Sequence, residues 1–359
     1  MTLCKAPGRI CLFGDHQDYL QLPVIACAID RYITLEAKET HLPYLQIAFS
    51  DLNTERKIPI PFRIEGYDPS DTFIAAVKVL RKYGCIPDKG YSIAIEGNIP
   101  INAGLSSSSA LLVCWIHFLI QTFGLDYSNH SLNNELIAQI AYEAEVLEQK
   151  GPGGKMDQYA ISVGKIIYLE TDVDSKYQVI EANLHGLVIG ESGIPKDTLG
   201  LLADRRNLAL ESIEFFKKRD EGFEIKNITE DVLPQYLDEL PPDIKPFFSA
   251  AVQNHTITQK ALREFYKEPL DFLKIGRLMS VHHKILKEAL KITVPQIDAM
   301  VEAALATGAL GAKIVGSGGG GCIVALAPGN EEQVIENMLK AGAVNAYTVS
   351  VAEGASSKN

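Results

Sequence analysis

The stretch Pro100-Ile101-Asn102-Ala103-Gly104-Leu105-Ser106-Ser107-Ser108-Ser109-Ala110 runs directly into an apolar segment, Ala110 to Phe123, that reads as a helix. Proline closes the preceding strand, and Gly104 permits an unusual backbone angle or a close ligand approach. The amides of Ser106 to Ser109 then lie at a helix N-terminus, where the dipole favours an anion such as a nucleotide phosphate. The small hydroxyls leave room and offer an oxygen to a magnesium ion. One or two serines would also serve as a helix cap, so this stretch alone leaves phosphate binding and capping both open.

A second glycine-rich stretch, Gly316 to Cys322 (GSGGGGC), fits the pattern G-x-G-x-x-G through Gly316, Gly318 and Gly321. The dinucleotide fingerprint needs a strand before it and a helix after it, whereas here Lys313 to Val315 precede and the β-like run Cys322 to Leu326 follows. That order excludes a nicotinamide-dependent oxidoreductase. A tight hairpin needs one or two glycines, not four in succession, so the loop is read as pressed against a ligand or a neighbouring domain.

Near the start, Pro7-Gly8-Arg9 leads through a strand ending at Gly14 into Asp15-His16-Gln17-Asp18-Tyr19. Asp15, His16, Asp18 and Tyr19 can grip the hydroxyls of a polyol, or they can form a solvated turn. Further on, a helix with apolar Leu136, Ile137, Ile140, Ala141 and Ala144 ends before Gly151-Pro152-Gly153-Gly154. Asp157 emerges from this glycine turn, placed to act as a base or an orienter, and Glu145 can supply a metal carboxylate. Glu143 and Glu148 are expected in solvent.

Taken together these segments resemble the GHMP small-molecule kinases, closest to galactokinase-like sugar-1-kinases. Pro7 to Tyr19 is similar to the galactokinase opening, Pro100 to Ser109 to the phosphate loop, and Gly316 to Cys322 to the third motif. Leu278 to Asp298 agrees more weakly. The resemblance implies an α+β protein with a ribosomal-S5-like N-terminal domain over residues 1–180 and a ferredoxin-like C-terminal domain over 181–359, with the active site in the cleft between them. It implies Asp157 and Arg9 as catalytic residues, and Asp15, His16, Asp18 and Tyr19 on the substrate. Nucleotide phosphates fall to Gly104, Leu105, Ser106, Ser107, Ser108 and Ser109, with Gly316, Gly318, Gly319 and Gly320 as the third motif. Magnesium falls to Ser108 and Glu145, and ATP is the co-substrate. Arg9 would hold Asp157 ionised and meet charge on the moving phosphoryl group.

The expected reaction is phosphorylation of a galactose-like sugar at its anomeric hydroxyl. Galactokinases have Glu where this chain has Asp15, which leaves a uronic acid or another C6 substituent conceivable. Lys155 would add positive charge beside Asp157. A mevalonate-type kinase is the alternative, because the unbroken glycines of the third motif are more like that branch. A non-catalytic ATP- and sugar-binding sensor is the other. The stretch between Ser50 and Lys82 is the candidate for the adenine site.

Length and composition agree with two domains around a sizeable core: 359 residues, 47% of them hydrophobic. A formal charge of −11 argues against general nucleic-acid binding. The six scattered cysteines read as reduced, buried thiols, and the adjacent His282 and His283 as structural. No signal or membrane segment is recognised, so a cytoplasmic protein is expected, either monomer or homodimer. Strands are expected at 42–49, 57–62, 91–96, 187–190, 312–315, 322–326 and 346–351, with helices following Ser70 and Ser106 and others over 199–218, 273–290 and 331–340. The tail Gly354 to Asn359 is read as frayed.

Overall fold

The structure, a computed structural model, describes residues 1–62, 66–126, 132–196 and 198–358, with backbone alone for Thr198 and Leu199. Two long antiparallel strands begin it, β1 (Thr2–Phe13) and β2 (Val24–Thr40). Their register shifts between Pro7 and Gly8 and again between Cys11 and Phe13. Pro7 has no amide to give the ladder, and a bulge at that point re-aims the residues that follow, Arg9 among them. The Arg9 amide donates to Leu105 O at 3.2 Å, which ties β1 to the serine-rich loop.

The first sheet continues with β3 (Tyr44–Phe49), β4 (Thr54–Pro59) and, after helix α1 (Thr72–Lys82), β5 (Gly90–Gly97). Helices α2 (Ser107–Phe123), α3 (Asn134–Tyr142) and α4 (Met156–Val163) then precede β6 (Ile166–Glu170) and β7 (Lys176–Ile180). The expected strand 57–62 is displaced to β4, because Phe62 turns away to join the hydrophobic core. Helix α2 is largely apolar and correspondingly buried from Ser109 to Ile120 apart from half-buried Leu111, packing on β1, β2, α3 and α4. Trp115 lies at its centre and donates its indole N–H to Phe73 O at 3.2 Å.

The second unit runs β8 (Leu187–Glu191), α5 (Ala203–Lys217), α6 (Leu233–Glu239), α7 (Lys245–Phe265), α8 (Phe272–Glu288), α9 (Pro295–Ala306), β9 (Gly311–Val315), β10 (Cys322–Leu326), α10 (Glu331–Lys340) and β11 (Asn345–Val349). Its sheet order is β11-β8-β10-β9, antiparallel throughout. Helices between its first and second strands and between its third and fourth give the β-α-β-β-α-β order of a ferredoxin-like unit. The helix expected from 199 starts at Ala203, after a π-helical turn over Thr198–Leu202.

The tail is a correction. Residues Ser356–Lys358 form β12, antiparallel to β1, and Val351 and Glu353 bridge to Ile29 and Gly164. A polar strand held by backbone hydrogen bonds on a sheet edge carries no apolar pattern that a sequence reading could detect. The chain therefore crosses back to the first sheet after β11. All six cysteines are buried and unbridged.

Candidate active site

Arg9 and Asp157 face each other across the first unit. Arg9 Nε and Nη2 each donate to one Asp157 oxygen at 2.8 Å, while Nη1 donates to Gly104 O at 2.5 Å. The guanidinium thus joins the carboxylate to the serine-rich loop, using the planar fork that lysine lacks. Burial by itself raises the Asp157 pKa, but the Arg9 charge and hydrogen bonds, with one from Ser106 Oγ, hold it below the ordinary carboxylate value. Asp157 is consequently ionised.

Ser106 does not cap the helix with its side chain. Its backbone is left-handed, φ 60 and ψ 46, and its hydroxyl reaches Asp157 instead of capping α2. The first-turn amides of α2 receive no side-chain cap from it, so the loop has the open N-terminal geometry that suits an anion. Ser109 Oγ donates to Glu145 Oε1 at 2.9 Å, and Gln158 Nε2 to Glu145 Oε2 at 2.7 Å. Glu145 lies in a π-helical turn, Glu143–Glu148, whose extra residue turns its side chain toward α2. Burial and the nearby Asp157 raise its pKa. Glu143 and Glu148, expected in solvent, are instead engaged: Tyr83 and Gln139 donate to Glu143 at 2.9 and 3.0 Å, and Lys78 and Tyr67 to Glu148.

The glycines of the third motif have positive φ throughout, Gly316 to Gly321 apart from Ser317. The loop packs backbone against backbone on the serine-rich loop. A Cβ on Gly321 would come within 2.8 Å of Ala103 O, and one on Gly104 within 2.7 Å of Val315 O. The neighbouring unit is thus what the loop is pressed against.

The N-terminal motif is fastened to the same loop. Asp15 is buried, accepting from Lys313 Nζ at 2.5 Å and from the Gly316 amide at 3.0 Å. Lys313 Nζ also donates to Cys11 O at 2.9 Å. His16 Nδ1 lies 2.9 Å from Tyr19 Oη and Nε2 3.1 Å from Ser317 O. Burial lowers the His16 pKa to about 4, so the ring is neutral; its partners assign Nε2–H to the carbonyl and Nδ1 as acceptor of the tyrosine proton. Asp18 keeps a rim position, its pKa raised to about 6 by burial and by the Asp157 charge.

Arg9, Asp15, Asp18, Tyr19, Ser108, Ser109, Glu145, Asp157 and Gly316 come together around one cavity of about 170 Å³. His16, Gly104, Leu105, Ser106, Ser107, Gly318, Gly319 and Gly320 stand behind its walls or along the adjoining loops. Lys196, which no motif signals, lines the same cavity; burial lowers its pKa, and the charges of Asp157 and Glu145 oppose that. Lys155 is a correction: its ammonium points away, donating to Asp172 O at 2.8 Å, Val173 O at 3.3 Å and Ser175 Oγ. Ser108 also lines a second cavity of about 810 Å³, between Phe49, Leu52, Ile95 to Asn102 and Tyr347. Of the described residues in the stretch 50–82, only Asp51 and Leu52 line it.

His283 Nδ1 accepts from the Ile314 amide at 3.3 Å, and His282 stacks on Phe13 with ring centroids 6.1 Å apart. Among the described residues, no helix is long and apolar enough to cross a membrane.

A cleft between an S5-like sheet with a serine-rich loop at a helix N-terminus and a ferredoxin-like unit with a glycine loop defines a small-molecule kinase class. Residues 71–165 match the GHMP kinases N terminal domain, 258–344 the GHMP kinases C terminal domain, and 2–39 the galactokinase galactose-binding signature. The chain belongs to the GHMP kinase family, and is a phosphotransferase. It is 28% identical to a mevalonate kinase of Thermococcus onnurineus, covering 98% of this chain and 97% of that one. It is 29% identical to a galactokinase of Thermococcus kodakarensis, covering 89% and 88%. The fold is shared with Lactococcus lactis galactokinase complexed with galactose, at a TM-score of 0.84, 23% identity and coverage of 99% and 94%. It is also shared with Methanococcus jannaschii mevalonate kinase, at 0.72, 22% and 98% of each chain.

Proposed function

We propose that this protein transfers the γ-phosphoryl group of ATP to the anomeric hydroxyl of a galactose-like sugar. The observation that carries the reading is the Asp157 carboxylate, held by Arg9 and Ser106 on the wall of a cavity that also presents Asp18 and Tyr19. At about 170 Å³ that cavity is smaller than most drug-sized pockets, as a small acceptor requires. The Asp18 carboxylate and the Tyr19 oxygen, whose proton goes to His16, supply acceptors for ring hydroxyls. The match of residues 2–39 to a galactose-binding signature supports a sugar in that cavity. Asp15 takes part through its hold on the glycine loop, its oxygens already accepting from Lys313 and Gly316.

ATP is assigned to the cavity of about 810 Å³, with its base toward Phe49, Leu52 and Tyr347 and its phosphates toward Ser108 and the first-turn amides of α2. A magnesium ion fits the residues present: Glu145 retains lone pairs on both oxygens, the exposed Ser108 hydroxyl shares its cavity, and both are hard oxygen donors. When bound, the ion spreads charge between the β and γ oxygens.

The acceptor oxygen bonds to the γ-phosphorus as the bond to the β–γ bridging oxygen breaks, releasing ADP. Asp157, with its pKa held down, is a weak base; its lone pairs orient the acceptor O–H and take the proton as that oxygen becomes acidic. Arg9 and Lys196 offer positive charge where negative charge moves.

A mevalonate-type reading is favoured by the unbroken glycines and by the coverage of the mevalonate kinase relatives. The Arg9–Asp157 geometry argues against a non-catalytic sensor. The deciding experiment is ADP release with magnesium and ATP against galactose, galacturonate, arabinose, N-acetylgalactosamine and mevalonate. Turnover of a sugar supports the proposal; turnover of mevalonate alone refutes it.

A further inference from the structure

Past Asp18 and Tyr19, a third cavity of about 660 Å³, larger than the acceptor cavity, adjoins it. Both residues border both spaces, as do Gly151, Gly153 and Gly154. That partition is thin. A Cβ on Gly153 would meet nothing within 4 Å, and one on Gly154 would overlap the Asp18 carboxylate. A neutral hexose held by Asp18 and Tyr19 would leave the outer chamber unused.

The chamber is bounded by Lys150, Lys155 and Arg206, with Asp172 as its other acid besides Asp18. Three cations around one space are unexpected in a chain of net charge −11. Lys155 contributes charge, but its protons are committed to the Asp172 and Val173 carbonyls and to Ser175. Arg206 differs. Its Nε is buried without a hydrogen-bond partner, and among the described residues it makes no ion pair, whereas the adjacent Arg205 pairs with Asp204 at 2.6 Å. A guanidinium fork left unpaired beside a polar cavity matches the geometry of a phosphate or carboxylate.

We propose that the outer chamber receives an anionic substituent of the sugar acceptor, carried at the end remote from the reacting hydroxyl, and that Arg206 reads it. This inference rests on the sugar-kinase reading above. It makes the preferred substrate a uronic acid or a sugar already phosphorylated at its far end, with Asp18 and Tyr19 holding the ring between the two chambers.

The test is titration calorimetry and steady-state turnover with galactose, galacturonate, galactose 6-phosphate and mevalonate, on the wild-type protein, Arg206→Gln and Lys150→Gln. One anionic sugar should bind about 10- to 100-fold tighter than galactose, the range for a hydrogen bond to a charged group. Arg206→Gln should remove that advantage while galactose changes little. Lys150→Gln, at an exposed side chain with no hydrogen bond or ion pair among the described residues, should remove a smaller part of it. Equal binding and turnover of galactose and both anionic sugars, or equal weakening of neutral and anionic sugars by Arg206→Gln, would overturn the inference and leave the sugar-kinase reading standing. Turnover of mevalonate with no sugar bound would overturn both.

Discussion

Asp15 and Lys313 form an ion pair of 2.5 Å with side chains 1% and 0% exposed, joining the turn after β1 to a strand of the other unit. Removing one member of such a pair leaves an uncompensated buried charge, which costs about 3–5 kcal/mol. Lys313→Met and Asp15→Asn should each destabilise by that order, and the double variant by clearly less than their sum, as measured by denaturant unfolding. Additive losses would mean that the two groups are not coupled. Burial alone raises the Asp15 pKa, but Lys313 and the Gly316 amide bring it below the ordinary aspartate value. A lowered folded pKa means stability present above about pH 4 and lost as the pH falls through the folded value. The penalty of Lys313→Met should therefore be full at neutral pH and shrink in acid.

Asp157→Asn should lower kcat by about 10²–10⁴, the range for loss of a positioned acid–base group, while ATP affinity changes little. Arg9→Lys should lower kcat as well, since an ammonium cannot reproduce the two 2.8 Å bonds together with the bond to Gly104 O. Quenched-flow measurement of the chemical step separates this from slow product release. Wild-type turnover by Asp157→Asn would remove it from the mechanism.

On the proposed function, Asp18 should set the pH dependence. Burial and then the neighbouring Asp157 charge raise its pKa to about 6. Below that value it is protonated and loses acceptor capacity, so kcat/KM for the sugar should fall on the acid side with an apparent pKa near 6, belonging to the coupled pair. Because its folded pKa lies above the unfolded one, Asp18 favours the folded state most in acid, and that contribution is lost as the pH rises through about 6. In Asp157→Asn the neighbouring charge is gone, and the pH midpoint of sugar binding should move downward. An unmoved midpoint would assign the titration to another group.

What was legible in the sequence was what carries local pattern. β10 and α10 have the bounds read from it, because glycines precede the strand and Pro328-Gly329-Asn330 separates the two. The serine run before an apolar stretch marked the start of α2 for the same reason. Lys313 and Lys196 went unread, since a single lysine in an apolar strand or after a proline has no periodicity, and each acquires meaning from carboxylates far away in sequence. Lys155 was misread because its direction is set by the carbonyls of 172 and 173, which sequence adjacency to Asp157 cannot reveal. The larger cavity draws its walls from β3, β5, α2 and β11, so no one stretch could announce it.

Gly104 tests whether the two loops act as one. Its φ of 88° suits glycine, and a Cβ there would lie 2.7 Å from Val315 O, at the base of the opposing glycine loop. Gly104→Ala carries the left-handed backbone cost of roughly 1–2 kcal/mol and, in addition, must push β9 away or shift the carbonyl that receives Arg9 Nη1. The loss of stability should therefore exceed that backbone figure, and KM for ATP and kcat should worsen together, because one displacement disturbs both the phosphate loop and the arginine that holds Asp157. Gly329→Ala is the control: its φ is also positive, at 77°, but nothing lies within 4 Å of its Cβ position, so it should show the backbone cost with normal kinetics. Equal stability losses in the two variants, with kinetics unchanged in both, would show that the close approach of the loops is not what positions the site.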